Sequence, residues 1–390
     1  MFRNLLFLFY LFGTALSLFS QKPDVVILGV GHSTQLINYA QQPAALRAFI
    51  DKVKPKAICI ERSPEEYSLN DFYEFTYEQQ YIVIPYAEEN RIRLHPIDWL
   101  PSETDTELGF GMKDLSVPRF ARQKEGFLGF TTFTEPADFE DDLYFAEKPN
   151  YIQRIESWYA SYPERASADL PRRLFLYRTF MQAKRIQKVL ENYSSGDTVL
   201  VVIGAFHKND IEKHLKEQGY RVVQPSTFGS IDQQAIDRHF QRPDAFAILS
   251  FNLLGMQANL NKINNQLVDY ALTKTEDLDS GEIEFFRIRR AVLQKKLSPK
   301  DAAFQYNKLL SNIKDEQWTW NGVKDKTRVD SYFDPFGNLP LDDRIRLELA
   351  REYRRLSNDK NYKQHIAIIR AKLSTYKKAM FDHYIEKYLD

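Results

Sequence analysis

Cysteine is almost absent from this sequence: Cys59 is the single cysteine among 390 residues. One cysteine cannot form a disulfide within the chain, even in a compartment that permits disulfides. Cys59 lies between Ile58 and Ile60 in a strand-like apolar run, which is typical of a small buried residue and not of a nucleophile. The sequence also lacks a Cys-x-x-Cys-His motif, and this excludes covalently attached haem.

Net charge is also lacking, because 53 Lys and Arg residues balance 53 Asp and Glu residues. This balance gives no support for nucleic acid or an acidic membrane surface as the main partner. No internal repeat of fixed period and no low-complexity linker interrupts the chain. Hydrophobic residues make up 43% of it, which is ample for a packed core in one large domain or two ordinary ones.

Long hydrophobic runs are missing except at the N-terminus, where Leu5–Phe19 carries no charge over 15 residues. This run follows Arg3 and is short for a membrane span, which needs about 20 residues. We therefore predict a signal peptide over residues 1–20, cleaved after Ser17 or Ser20, and an exported body that is periplasmic or extracellular. The alternative is an uncleaved membrane anchor.

Strand and helix patterns alternate through residues 22–228, which predicts an α/β domain. We expect a central sheet with parallel strand pairs flanked by helices. Predicted strands are 24–31, 56–61, 92–98, 197–206 and 220–224; predicted helices are 43–53, 64–80, 171–191 and 208–219. Residues 101–170 break this alternation, so we interpret them as an inserted cap. Residues 230–390 read as a mainly helical C-terminal region, with helices at 257–272, 298–313, 342–356 and 365–381.

Four predicted strands end at residues that can carry chemistry, namely His32, Glu61, Asp98 and His207. In a parallel sheet the carboxyl ends of the strands meet at one edge, where ligands bind. Two histidines and a carboxylate are a common ligand set for Zn, Mn, Co or Fe. The sequence therefore predicts a divalent metal held by His32, His207 and Glu61, with Asp98 nearby.

Glycines accompany both histidines, in "GVGH" at 29–32 and "GAFH" at 204–207. Glycine accepts positive φ and permits close approach of other atoms, so we expect it to turn the chain sharply and present each histidine. For each residue a structural alternative stays open. A lone histidine near a strand end is often a satisfied structural residue, Glu61 can pair with Arg62 or Arg47, and Asp98 can cap a turn.

One predicted helix, 171–191, carries an arginine outside its apolar stripe. The stripe consists of Leu176, Phe180, Ala183, Ile186 and Leu190, and Arg178 lies on the opposite side among other apolar residues. Such an arginine is often buried against a carboxylate or an anionic ligand. The alternative is an arginine whose stem covers apolar surface while its head stays in water.

Taken together, these motifs resemble the TraB/Tiki/PrgY superfamily, whose wider circle includes erythromycin esterase-like and ChaN-like proteins. The resemblance rests on the two Gly-x-x-His motifs, on "KPKAICIER" (54–62) and on "YRTFMQAKRI" (177–186), and covers about 22–228. It implies an α/β fold whose cleft holds His32, Glu61, Arg178 and His207. Tyr177 and Thr179 depart from the pattern, since the family's arginine often follows an acidic residue and precedes Asn or Asp.

The leading hypothesis is a metal-dependent hydrolase that acts on a peptide or a small-molecule ester. His32 and His207 would hold the metal, Glu61 would be a third ligand or the general base, and Arg178 would orient Glu61 or stabilise an oxyanion. A second hypothesis is metal-free ester hydrolysis with a histidine and Glu61 as general base. A third is a non-catalytic protein that binds haem, another ligand or a partner. The sequence leaves the oligomeric state open.

Overall fold

The computed structural model describes residues 22–70, 76–101, 133–161, 169–313, 316–322, 327–331 and 334–389. Its strands are β1 (Asp24–Val30), β2 (Ala57–Ile60), β3 (Arg93–Pro96), β4 (Thr198–Gly204) and β5 (Arg221–Val223). They form one sheet in the order β3-β2-β4-β1-β5, and every neighbouring pair is parallel. The predicted α/β class, with parallel strand pairs flanked by helices, is confirmed.

Helices connect these strands. They are α1 (Pro43–Val53), α2 (Pro64–Ser68), α3 (Ile84–Glu89), α4 (Pro136–Glu140), α5 (Pro149–Ala160), α6 (Leu170–Leu190) and α7 (Ala205–Glu217). A π-helix (Glu78–Val83) runs directly into α3, and 3-10 helices occupy His32–Leu36, Phe145–Glu147 and Pro225–Phe228. The predicted helix at 64–80 is therefore wrong in its extent: α2 ends at Ser68, and residues 71–75 lie outside the described ranges.

The remaining helices confirm the helical character expected after residue 230. They are α8 (Gln233–His239), α9 (Arg242–Leu253), α10 (Met256–Asn259), α11 (Asn265–Thr273), α12 (Gly281–Leu293), α13 (Pro299–Asn312), α14 (Leu341–Arg355), α15 (Asp359–Ala371) and α16 (Thr375–Tyr388). The single helices expected at 257–272 and at 365–381 are both wrong, because each span contains parts of two helices. The Ser374 side chain accepts a hydrogen bond from the Lys377 amide and starts α16.

Two apolar layers enclose the sheet. On the first face Val26 and Leu28 of β1 pack in one continuous core with α1, the π-helix, α9 and several later helices. On the second face Val25 and Ile27 pack against α6 and α7. Alternate residues of one strand point to opposite faces, so both faces of β1 are buried, as expected for a parallel strand. The first half of the helical region is thus part of the same core as the sheet.

The chain leaves the neighbouring strands β1 and β4 on opposite faces of the sheet. After β1 it passes to α1 on the first face, and after β4 it passes to α7 on the second. Such a switch point leaves a crevice beyond the carboxyl ends of the two strands, and ligands bind there in open α/β sheets. His32 follows β1 and His207 lies in the first turn of α7, so both histidines border this crevice.

The expected cap at about 101–170 falls partly outside the described residues, which omit 102–132 and 162–168. The intervening segment, 133–161, is helical at α4 and α5 and packs beside the residues that follow β1. The Asn38 side chain donates to the backbone carbonyls of Asp138 and Asp141, at 3.0 and 2.8 Å. Ala146 lies against Gly29, where a Cβ atom would come within 2.7 Å of the alanine methyl. This part of the segment therefore lies close to the crevice.

No helix in the described ranges is long and apolar enough to cross a membrane. The predicted signal peptide at residues 1–20 lies outside those ranges.

Candidate functional site

Glu61 occupies the centre of the crevice, directly after β2. Its side chain is 1% exposed. One carboxylate oxygen accepts from Nη2 of Arg178 at 2.9 Å, and the other accepts from the Gly204 amide at 2.5 Å. The alternative pairing with Arg47 is not what the structure shows, since Arg47 pairs with Asp244 at 2.5 Å. Glu61 thus joins the ends of β2 and β4 to helix α6.

Asp98, two residues beyond β3, holds the same arginine. Arg178 donates from Nε and Nη2 to the two Asp98 oxygens, at 2.8 and 2.5 Å. Gln182 and the Trp99 amide donate to Asp98 as well, at 2.7 and 2.8 Å. This two-pronged geometry suits a guanidinium and gives Arg178 a fixed orientation. The structure therefore places Arg178 between Asp98 and Glu61, with Nε and Nη2 both engaged.

The predicted apolar stripe of α6 is wrong in its first half, where Arg178 is buried instead. Leu176 and Phe180 are 41% and 52% exposed, although both were expected in the buried stripe. The buried side of the first half of α6 is instead polar, with Arg178, Thr179 and Gln182, and it becomes apolar only from Ala183 onward. The prediction failed because it assumed that the inward stripe is apolar along its whole length.

His207 contacts Glu61 from the start of α7, and its side chain is 2% exposed. Its Nε2 lies 3.5 Å from Oε1 of Glu61, and its Nδ1 lies 2.6 Å from the hydroxyl of Thr179. That hydroxyl donates its one proton to the Phe175 carbonyl at 2.8 Å. The imidazole Nδ1 is therefore the donor to Thr179, and Nε2 keeps an unshared electron pair that faces Glu61.

His32 reaches Glu61 from the other side. Its Nε2 lies 3.9 Å from Oε2 of Glu61, and its Nδ1 lies 2.9 Å from Oε1 of Glu78. His32 keeps 12% of its side chain exposed, so the crevice is more open on this side than at His207. A Cβ atom on Gly204 would come within 2.8 Å of the His32 ring nitrogen. Gly204 therefore makes room for the imidazole.

The predicted turning role of the glycines is wrong in its detail. His32 itself adopts a positive φ of 44°, whereas Gly31 has a φ of −88°. Positive φ is uncommon for residues other than glycine and is often retained at functional sites, where surrounding contacts hold it. The geometry supports the other part of the expectation, that glycine lets neighbouring atoms approach the backbone closely. The space that a Cβ atom would need at Gly29 and Gly204 is filled by neighbouring side chains.

The two histidines have opposite pKa shifts. Burial lowers the pKa of His207 well below its usual value, and the positive charges of Arg178 and His32 lower it further. Burial also acts to lower the pKa of His32, but the carboxylates of Glu78 and Glu61 outweigh it, and the net pKa is raised. Burial raises the pKa of Glu61 despite opposing effects of His32 and Arg178. The site therefore contains a neutral imidazole beside a more basic one.

The donor atoms can be compared with the requirements of a divalent metal. Two atoms that share one tetrahedral ion at about 2.1 Å lie about 3.4 Å apart, and the separations of the imidazole nitrogens from Glu61 are 3.5 and 3.9 Å. Within the described ranges, however, no group of three or more His, Cys, Asp or Glu side chains is arranged to hold a metal ion. The two separations run to different oxygens of Glu61, and both oxygens also accept hydrogen bonds, from Arg178 and the Gly204 amide. A metal held by His32, His207 and Glu61 therefore stays a prediction.

Four polar residues of this site were not predicted: Glu78, Gln79, Thr179 and Gln182. All four are at most 3% exposed. Thr179 directly follows Arg178, where the superfamily that the motifs resemble often has Asn or Asp, and this difference was a signal that could have found it. Glu78 and Gln79 carry no such signal, because a π-helix brings them to the crevice.

The other histidines lie outside the site. The Nε2 atom of His95 makes a 2.7 Å contact with the Tyr193 hydroxyl. Four further histidines were expected on the surface, and all four are half-buried: His214, His239, His365 and His383. None of the site contacts described above involves them.

Comparison of the chain with protein-family models, with curated proteins and with solved structures gives no match.

Proposed function

We propose that this chain is an exported, metal-dependent hydrolase of the TraB/Tiki-like type, which acts on a peptide or a small-molecule ester. One observation carries the proposal: two imidazole Nε2 atoms face the same buried glutamate at the switch point of the sheet. The wider fold relationship to the erythromycin esterase-like and ChaN-like circle belongs to the same proposal and rests on the paired Gly-x-x-His motifs.

His32, His207 and Glu61 would hold the divalent metal, whether Zn, Mn, Co or Fe. A bound metal would lower the pKa of a coordinated water towards about 7 and polarise the scissile carbonyl. Thr179 holds the His207 ring through Nδ1 and leaves Nε2 available. Arg178, held by Asp98 at two atoms, fixes the Glu61 carboxylate and offsets its negative charge. We assign Arg178 to orienting Glu61, because Nε and Nη2 are already engaged by carboxylates.

A hydrolysis screen with peptide and ester substrates tests this proposal, with and without a chelator. His32→Ala and His207→Ala should each abolish turnover, and the chelator should do the same until metal is restored. His365→Ala is a matched control, since His365 lies on α15 and stacks on Tyr353, and it should keep full activity. Turnover that survives the chelator and both site variants would refute a metal-dependent reaction at this crevice.

Metal-free hydrolysis is the second candidate, and one observation favours it. Both oxygens of Glu61 already accept hydrogen bonds from Arg178 and the Gly204 amide. In this version His32, with its raised pKa, would exchange protons with water and substrate near neutral pH. Metal analysis of the purified protein separates the metal-dependent candidate from the metal-free one. Stoichiometric metal that is lost when both His32 and His207 are replaced by alanine supports the metal-dependent reaction. A Soret band on haem titration that needs His32 would instead favour ligand binding.

A further inference from the structure

Glu78 is the fully buried carboxyl group behind His32, and it stands at the first position of the π-helix. Its side chain is 0% exposed, and Oε1 lies 2.9 Å from Nδ1 of the imidazole. Oxygen Oε2 is buried and has no hydrogen-bond partner among the described residues. The contact with His32 is therefore a major polar interaction of this carboxyl group. Whether Nδ1 or Oε1 donates in it decides which ring nitrogen of His32 carries the proton.

The orientation of the Gln79 amide bears on the direction of that hydrogen bond. Its carbonyl oxygen accepts from the Glu61 amide at 3.3 Å, and its NH₂ group donates to the Val202 carbonyl at 3.1 Å. A backbone amide can only donate and a backbone carbonyl can only accept, so the two ends of the Gln79 amide cannot be exchanged. The ends of β2 and β4 thus fix the orientation of this side chain.

The oriented Gln79 amide then acts on Glu78. Its NH₂ group also donates to Oε1 of Glu78, at 3.3 Å, so this oxygen is an acceptor. A carboxylate oxygen can only accept, so with Glu78 ionised the proton in the 2.9 Å contact between Oε1 and His32 is on the imidazole Nδ1. A neutral imidazole carries one proton, which leaves Nε2 of His32 with an unshared electron pair towards Glu61.

We propose that Glu78, oriented by Gln79, is a positioning residue that holds neutral His32 in the tautomer with its proton on Nδ1. The importance of this tautomer for hydrolysis rests on the function proposed above, but the tautomer itself does not. Ligand histidines of metal sites commonly donate their second ring nitrogen to a carboxylate in this way. His207 has the same arrangement through Thr179, so both rings present Nε2 to one carboxylate.

The π-helix that carries Glu78 is braced from the C-terminal region. The Trp320 ring packs edge-on against Tyr77 and Tyr81, with centroids 5.9 and 5.5 Å apart, and these two tyrosines stack on each other at 5.1 Å. Tyr77 immediately precedes Glu78 and is 1% exposed. π-Helical turns are rare and frequently occur at functional sites. This packing holds the first turn of the π-helix, and with it the carboxyl group, against His32.

Nitrogen NMR of the protein labelled with ¹⁵N-histidine tests the proposal directly. The metal-free protein is examined at alkaline pH, where the ring is neutral, and the His32 signals are identified by their loss in His32→Asn. We expect a protonated Nδ1 and an unprotonated Nε2. Glu78→Leu should move the proton to Nε2, where Glu61 is the acceptor, and Glu78→Gln should restore the original tautomer through its carbonyl oxygen. His95, which contacts Tyr193, is the internal control and should not change.

The outcomes distinguish the two proposals. A wild-type His32 that carries its proton on Nε2 overturns the positioning role, whether or not any variant folds. An unchanged tautomer in Glu78→Leu overturns it as well. If the tautomer shifts as expected, kcat/KM of Glu78→Leu should fall by about 10- to 100-fold and recover in Glu78→Gln. If the tautomer shifts but neither protein hydrolyses any substrate, the positioning role stands and the hydrolase proposal fails.

Discussion

Replacing Thr179 with valine removes the hydroxyl group that accepts a hydrogen bond from His207, and it leaves the shape of the side chain almost unchanged. Both residues are at most 3% exposed, so water does not readily replace the hydroxyl. A buried donor that is left without an acceptor costs about 1–3 kcal/mol. The neutral ring has a way to avoid this cost, because its proton can move to Nε2 and be donated to Oε1 of Glu61, 3.5 Å away.

The expected result is therefore a separation of two effects. The free energy of unfolding of Thr179→Val should fall by only about 1 kcal/mol, because the moved proton finds a new acceptor. Metal affinity and kcat/KM should fall further, by about 10- to 100-fold, because Nε2 no longer offers an electron pair. Urea unfolding measures the first quantity, and metal titration with steady-state kinetics measures the second.

Thr179→Ser is the matched control, since it retains the hydroxyl and should keep both quantities close to those of the wild type. Metal affinity and turnover that are unchanged in Thr179→Val would refute the assigned tautomer of His207. So would a serine variant that is as impaired as the valine variant, because the hydroxyl would then not be the group that matters.

Three further predictions concern buried groups. Asp98→Asn leaves the charge of Arg178 poorly compensated and should lower the free energy of urea unfolding by about 3 kcal/mol; a loss below about 1 kcal/mol would contradict this pairing. Burial raises the pKa of Glu282 to about 7, so its charge destabilises the fold increasingly from about pH 4.5 to 7. Glu282→Gln should thus stabilise the protein by up to about 3 kcal/mol at pH 8 and little at pH 4.5. Gly204→Ala should displace the His32 ring and abolish activity in the hydrolysis screen, without unfolding the protein by circular dichroism.

Much of the fold could be read from local sequence patterns. Helix α1 matches the predicted span, with proline at its first position and Lys54 ending it in a left-handed conformation. Each of the five predicted strands has a counterpart in the sheet. For β1, β2 and β4 the signal is a continuous apolar run, which is typical of strands that are buried on both faces. Boundaries were less accurate: His207 lies in α7, since the helix begins directly after Gly204.

What the sequence by itself determined is which residues stand at the carboxyl ends of the strands. Parallel strands bring those ends to one edge, and the order of the strands, which the tertiary structure sets, places His32, Glu61, Asp98 and His207 close together there. Only the tertiary structure decided their partners. Glu78 lies 46 residues from His32 along the chain, and Thr179 lies 28 residues from His207. Such contacts depend on the rotation of α6 and on one π-helical turn, and local sequence preferences specify neither of them.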